Sequence, residues 1–116
     1  MLTSMSPERD EFAPFHCEVE PERGRVRVMP HGELDLATAP EVERRLRELR
    51  ESGFDHVVLD LRELVFIDST GLRVVMREDA AARADGRTFA LIPGPPAVQR
   101  IFEVACVSDQ LTFLPG

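Results

Sequence analysis

The segment His56-Val57-Val58-Leu59-Asp60-Leu61-Arg62-Glu63-Leu64-Val65-Phe66-Ile67-Asp68-Ser69-Thr70-Gly71-Leu72 decides the fold. Residues 56–61 are a nearly unbroken apolar run of strand length, the pattern of a central parallel strand covered on at least one face. Residues 64–67 are a second apolar piece leading into Asp68, Ser69 and Thr70, residue types that open helices. From there to Ala84 the periodicity is helical, with Leu72, Val75, Met76 and Ala80 predicted inward and Asp85-Gly86 as the end. Strand, cap and helix in that order form half of a parallel crossover unit.

The flanks repeat the alternation. Upstream, residues 12–19 suit a first strand, Pro21-Glu22-Arg23-Gly24 a turn and residues 25–29, with alternating Arg and Val, a half-buried strand; together they predict a hairpin. Gly32-Glu33-Leu34-Asp35 reads as a loop. Thr38 with Glu41 three residues later has the spacing of a capping box, and Pro40 suits the first turn of a helix. In that helix Val42, Leu46 and Leu49 share one face, and Ser52-Gly53 ends it. Downstream, residues 88–92 read as a strand. Pro95-Pro96 opens a helix burying Val98, Ile101, Phe102 and Ala105, and residues 111–113 read as a last short strand. The expectation is one α/β domain over residues 12–116, with a mostly parallel central sheet, an N-terminal hairpin and crossover helices. Residues 1–11 read as a flexible polar tail.

Composition excludes several functions. The 116 residues suffice for one domain. A net charge of −7 argues against binding nucleic acid through its phosphates. All 14 basic residues are arginines, so the lysine of a phosphate-binding loop or of a kinase is absent. A receiver domain fails on the same ground. No apolar run reaches the length of a membrane span and no signal peptide is visible, so a cytoplasmic protein is expected. Cys17 and Cys106 match no metal or redox spacing and read as small buried hydrophobes.

In an α/β domain, ligands and partners favour the carboxyl ends of parallel strands. Two loops there carry polar groups, residues 33–38 and residues 68–71. One of Asp68, Ser69 and Thr70 must cap the helix, and three in a row exceed what capping requires. Gly71 removes a side chain beside the hydroxyls and offers room for an approaching protein. A hydrolase serine needs a neighbouring base and a strained turn; no Gly-x-Ser-x-Gly occurs, and of His16, His31 and His56 only His31 precedes a candidate loop. Glu33, Asp35 and Asp68 read as loop-end caps in preference to metal ligands. No catalytic residue, metal or cofactor is expected.

Three stretches resemble the STAS domain family of anti-sigma factor antagonists: residues 32–40 (Gly-Glu-Leu-Asp-Leu-Ala-Thr-Ala-Pro), residues 58–61 (Val-Leu-Asp-Leu) and residues 66–72 (Phe-Ile-Asp-Ser-Thr-Gly-Leu). The similarity covers roughly residues 12–114 and continues through Gly86-Arg87 and residues 98–102. It implies a protein that catalyses nothing and binds an anti-sigma factor with Ser/Thr kinase activity. The kinase phosphorylates the second hydroxyl of the motif, here Thr70, and a PP2C-type phosphatase restores the free form. Asp35, Asp68, Ser69, Thr70, Gly71 and Leu72 are then the expected partner-binding residues. Cys106 stands where a glycine is common, threonine replaces serine at the acceptor, and the final helix often found in the family is not evident. A non-switching STAS adaptor subunit of a larger signalling or transport complex is the alternative, and a small-molecule or nucleotide-binding module using the same loops is the third.

Overall fold

The computed structural model describes residues 14–115. The expected tail, residues 1–11, lies outside them, as do residues 12, 13 and 116 of the expected domain. The described residues run β1 (His16–Glu22), β2 (Arg25–Leu34), α1 (Ala39–Glu51), β3 (His56–Asp60), β4 (Leu64–Ile67), α2 (Ser69–Ala84), β5 (Thr88–Ile92) and α3 (Pro96–Val104). A single 3-10 turn, Ser108–Gln110, follows and had no signal in the sequence. This is the expected α/β domain: a hairpin, then parallel strands linked by helices. No helix among the described residues is long and apolar enough to cross a membrane.

The sheet is organised by β2. On one side it pairs antiparallel with β1, closing the predicted hairpin through Arg23 and Gly24, the latter at φ 76°. On the other side it has two parallel partners in tandem. Val26–Val28 lie beside Val57–Leu59 of β3, and Gly32–Leu34 beside Leu64–Ile67 of β4. Pro30 falls between these two stretches, in the part of β2 that pairs only with β1. A residue without an N–H fits such a gap and not a continuous ladder. The strand β5 completes the order β1-β2-β3-β5.

Residues 32–34 were expected in a loop, yet they belong to β2. The reason is the partner strand. Leu34 is fully buried and sits in register with Ile67, while an irregularity between Gly32 and Glu33 breaks the alternation by which a strand is recognised. The last expected strand, residues 111–113, contracts to one bridge, Leu91 with Phe113, flanked by backbone hydrogen bonds from Leu91 N–H to Thr112 O (2.8 Å) and from Leu114 N–H to Leu91 O (2.7 Å).

One core joins Val26, Val28, Leu59 and Leu91 of the sheet to Val42, Leu46, Val75, Val98 and Phe102 of the helices. Val42, Leu46 and Leu49 of α1 meet it as predicted. In α2 the inward face is rotated from the expected one: Val74, Val75, Asp79 and Ala82 are buried, Leu72 and Met76 are half-buried, and Ala80 is exposed. Ala105 is also exposed, because α3 ends before it. Alternate residues of β1 and β2 point to the other sheet face, which is polar. There Arg27 holds Glu20, Glu22 and the fully buried Asp60.

The cysteines divide. Cys17 is buried; burial, then the negative charge of Glu41, pushes its thiol up to about 11, which keeps it protonated. Cys106 is exposed, contrary to expectation, at φ 59°. It occupies the left-handed position after α3, where the Val107 N–H reaches back to Phe102 O (3.1 Å), the closure that normally selects glycine.

Candidate functional site

Two loops leave the sheet side by side. Leu34 and Ile67 are paired residues at the ends of the parallel strands β2 and β4, so Asp35 and Asp68 emerge next to each other. The Asp68 N–H donates to Leu34 O (3.1 Å), tying the start of α2 to the end of β2. Both loops therefore lie on the same edge of the sheet.

Each loop is held by its own aspartate. Asp68 has extended backbone, and its Oδ1 accepts the Gly71 N–H at 3.0 Å. Of the three candidate caps the carboxylate takes the position, which leaves the hydroxyls of Ser69 and Thr70 outside the capping of α2. In the other loop, Asp35 Oδ1 accepts from the N–H groups of Ala37 (3.0 Å) and Thr38 (3.1 Å). Thr38 Oγ1 accepts the Asp35 N–H (2.9 Å) and donates to Glu33 O (2.6 Å). The capping box expected between Thr38 and Glu41 does not form: Thr38 makes no side-chain cap bond, because its hydroxyl is turned back into the preceding loop.

The motif residues differ in access. Ser69 is exposed, Asp68, Thr70 and Leu72 are half-buried, and Gly71 is buried. A side chain at Gly71 would strike Leu34 and Ile67, so the glycine makes room for the protein's own packing and not for a visitor. Leu72 packs against the core.

Three large apolar side chains on these segments are exposed: Leu36 (75%), Val65 (65%) and Phe66 (46%). The sequence shows residues 64–67 only as an apolar piece, without saying which of them face the core. A signal was available, since two consecutive residues of a strand cannot both face the core. Here Leu64 and Ile67 take the inward positions. Phe66 stands in register with Glu33, and Leu36 follows Asp35, so the patch borders both loops.

Beside it lies a groove of about 500 Å³ lined by Phe15, His16, His31, Glu33, Asp35 and Val65, among others. His31 is a strand residue, stacked on His16 at 4.5 Å between ring centroids and bonded through Nε2 to Glu18 (2.6 Å). Ser69 and Thr70 do not line this groove, so the histidines and the motif hydroxyls do not share it. Among the described residues no group of three or more His, Cys, Asp or Glu side chains converges as a metal site.

Sequence reading did not find the charge cluster at the end of β3. Asp60 accepts from Arg62 Nη2 (2.7 Å), Arg62 N–H (3.1 Å) and Arg27 Nη1 (3.1 Å). Burial pushes its carboxyl upward, but the hydrogen bonds and charge of Arg62 and the hydrogen bond from Arg27 outweigh this and hold it below the ordinary range.

A capped helix start and a strand end joined at one corner of a mixed sheet define a small α/β domain with a two-loop surface. The profile described as "Mlab, STAS domain" matches residues 17–115. The chain belongs to the STAS domain family. An anti-sigma F factor antagonist of Paenibacillus polymyxa is 32% identical over 92 residues, 78% of this chain and 79% of the relative. An anti-sigma factor antagonist from Mycobacterium paratuberculosis shares the fold with a TM-score of 0.76 at 24% identity, over 89% of this chain and 87% of that one. The Bacillus cell fate determinant SpoIIAA in its phosphorylated form gives 0.65 at 18% identity, over 87% and 91%.

Proposed function

We propose that this chain is an anti-sigma factor antagonist that binds an anti-sigma factor with Ser/Thr kinase activity and is switched off by phosphorylation at Thr70. The observation that carries the proposal is the division of labour in the motif. Asp68 supplies the cap, so the hydroxyl of the half-buried Thr70, beside the corner where the two loops meet, is not spent on capping α2. Asp35, Ser69 and the exposed Leu36, Val65 and Phe66 border the same surface and supply contact to the partner. Asp68, Gly71 and Leu72 contribute by setting its shape. The curated relative carries the antagonist name, and one fold relative was solved phosphorylated, so a phosphate is compatible with this architecture.

In the modifying step the Thr70 Oγ1 attacks the γ-phosphorus of ATP. The new O–P bond replaces the bond to ADP, which leaves with its electron pair, and the hydroxyl proton passes to a base of the kinase. The chain is the substrate, and a PP2C-type phosphatase hydrolyses the ester to restore it. The cycle belongs in the cytoplasm, where ATP and sigma factors meet.

The test incubates the chain with its captured partner and ATP and maps phosphate by mass spectrometry. Modification of Thr70 supports the proposal, and modification elsewhere with Thr70 untouched refutes the acceptor. A second reading, a non-switching STAS adaptor subunit, is favoured by one observation: Thr70 is half-buried whereas Ser69 is exposed. Under that reading Thr70→Ala and Thr70→Glu bind the partner equally well.

A further inference from the structure

We propose that Arg73 is the intrachain partner of the phosphate on Thr70, an inference that rests on the functional reading above. Arg73 is exposed on α2, three residues after Thr70 and four after Ser69. Side chains at these spacings are neighbours on a helix, with Cβ atoms about 5–6 Å apart.

The other two arginines of α2 are engaged: Arg77 with Glu43 of α1 and Arg83 with Asp79. Arg73 has no ion pair among the described residues. Its neighbours on the helix explain why. Thr70 and Ser69 precede it by three and four positions, and Met76 and Arg77 follow it by three and four. No acid stands at any of the four, and the first turn of α2 contains none. Asp68 is five positions back, a rotation that carries it off this face, and is bonded to Gly71. By contrast, Arg44 of α1 lies between Glu41 and Glu48, three and four residues away, and pairs with both.

Phosphorylation supplies the missing anion at one of the two vacant neighbour positions. The phosphate brings roughly −1.5 to −2 charges and three acceptor oxygens, matched to the planar donor fork of arginine. The pair favours the dianion and holds the phosphate against the helix. Modification therefore acts twice on the partner surface, adding negative charge and occupying its free guanidinium.

The experiment installs phosphothreonine at position 70 during translation and follows the phosphate by phosphorus NMR as pH is varied. The otherwise native chain is compared with Arg73→Gln, Arg73→Lys and Arg47→Gln, with folding checked by circular dichroism. An ordinary phosphoester takes up its second proton near pH ~6. The native midpoint is expected about half a pH unit below that of Arg73→Gln, as an opposite charge nearby favours the dianion. Lysine at position 73 restores much of the difference. Arg47, exposed on α1 and also without an ion pair among the described residues, has no effect when replaced. Equal midpoints in the native and Arg73→Gln chains overturn the proposal. Because the phosphate is placed without a kinase, this outcome is distinct from failure of the acceptor: a kinase that ignores Thr70 refutes the functional reading, and an unmoved titration refutes Arg73.

Discussion

A methyl group at Gly71 would stand 2.8 Å from Leu34 O, Leu34 Cγ and Ile67 Cγ1. The carbonyl cannot retreat freely, because it accepts the Asp68 N–H that anchors the motif. Gly71→Ala is expected to destabilise the fold by about 1–2 kcal/mol in urea unfolding, the overpacking cost exceeding alanine's helix preference. Cys106 presents the opposite case. It holds a left-handed backbone at φ 59° with its side chain exposed. Cys106→Gly should stabilise by about 0.5–1 kcal/mol, the conformational relief being partly offset by the greater freedom of glycine when unfolded. In the sequence Cys106 stood out only as a departure from the family resemblance; its left-handed backbone, which explains the glycine common there, is a feature of the fold. The reason for Gly71 was not legible in the sequence either, because it depends on Leu34, distant in sequence and brought beside it by the β2–β4 pairing.

Among the elements, β3 carries a charge that must be kept. Asp60 is fully buried at its end, and Arg27 of β2 and Arg62 of the following turn hold its carboxyl below the ordinary value of 3.8. A carboxyl whose folded value is depressed stabilises the fold above the unfolded value, and that stabilisation is lost as pH falls through the folded one. Asp60→Asn is therefore expected to cost about 1–3 kcal/mol at pH 7, with the gap to the native chain narrowing below pH 3.8. A gap independent of pH would show that packing, not charge, holds the element. Glu78 acts in the reverse sense. Burial raises its carboxyl above 4.5 despite Arg50, so its contribution is present below that value and declines as pH rises through the raised one. The helices and most strands were readable from periodicity alone. Among the exceptions, the extension of β2 to Leu34 and the rotated face of α2 arise where a bulge or a buried Asp79 breaks the expected pattern, β1 runs on through Pro21 and Glu22 into the expected turn, and the last strand shrinks to one bridge.

For the whole molecule, the proposed switch must act on binding while sparing the fold. Thr70 does not cap α2, so a negative charge there leaves the cap bond from the Gly71 N–H to Asp68 in place. Thr70→Glu should weaken binding to the captured partner at least tenfold by calorimetry, since an unmatched charge in an interface costs several kcal/mol. Thermal unfolding should place its stability within about 1 kcal/mol of the native chain. A large loss of stability with binding intact would make Thr70 a structural residue.

The amino-acid sequence by itself determined the alternation of strands and helices, the hairpin, the helix start at residue 68 and the family motif. These are local matters, set by side-chain periodicity and by the few residue types that cap or break helices. It did not determine that residues 64–67 form a strand of their own or that residues 111–113 shrink to one bridge. Only the tertiary structure decided which acid caps each loop, that Gly71 faces inward, that Val65 and Phe66 face outward and that Asp60 is clamped by two arginines. The caps are local bonds chosen among several polar residues in a row. The inward Gly71, the outward Val65 and Phe66 and the Arg27 arm of the clamp depend instead on the pairing of β2 with β3 and β4, which brings together residues some thirty positions apart. The Asp-Ser-Thr-Gly-Leu motif could be read from the chain; that Asp68 alone of its three polar residues caps α2 required the fold.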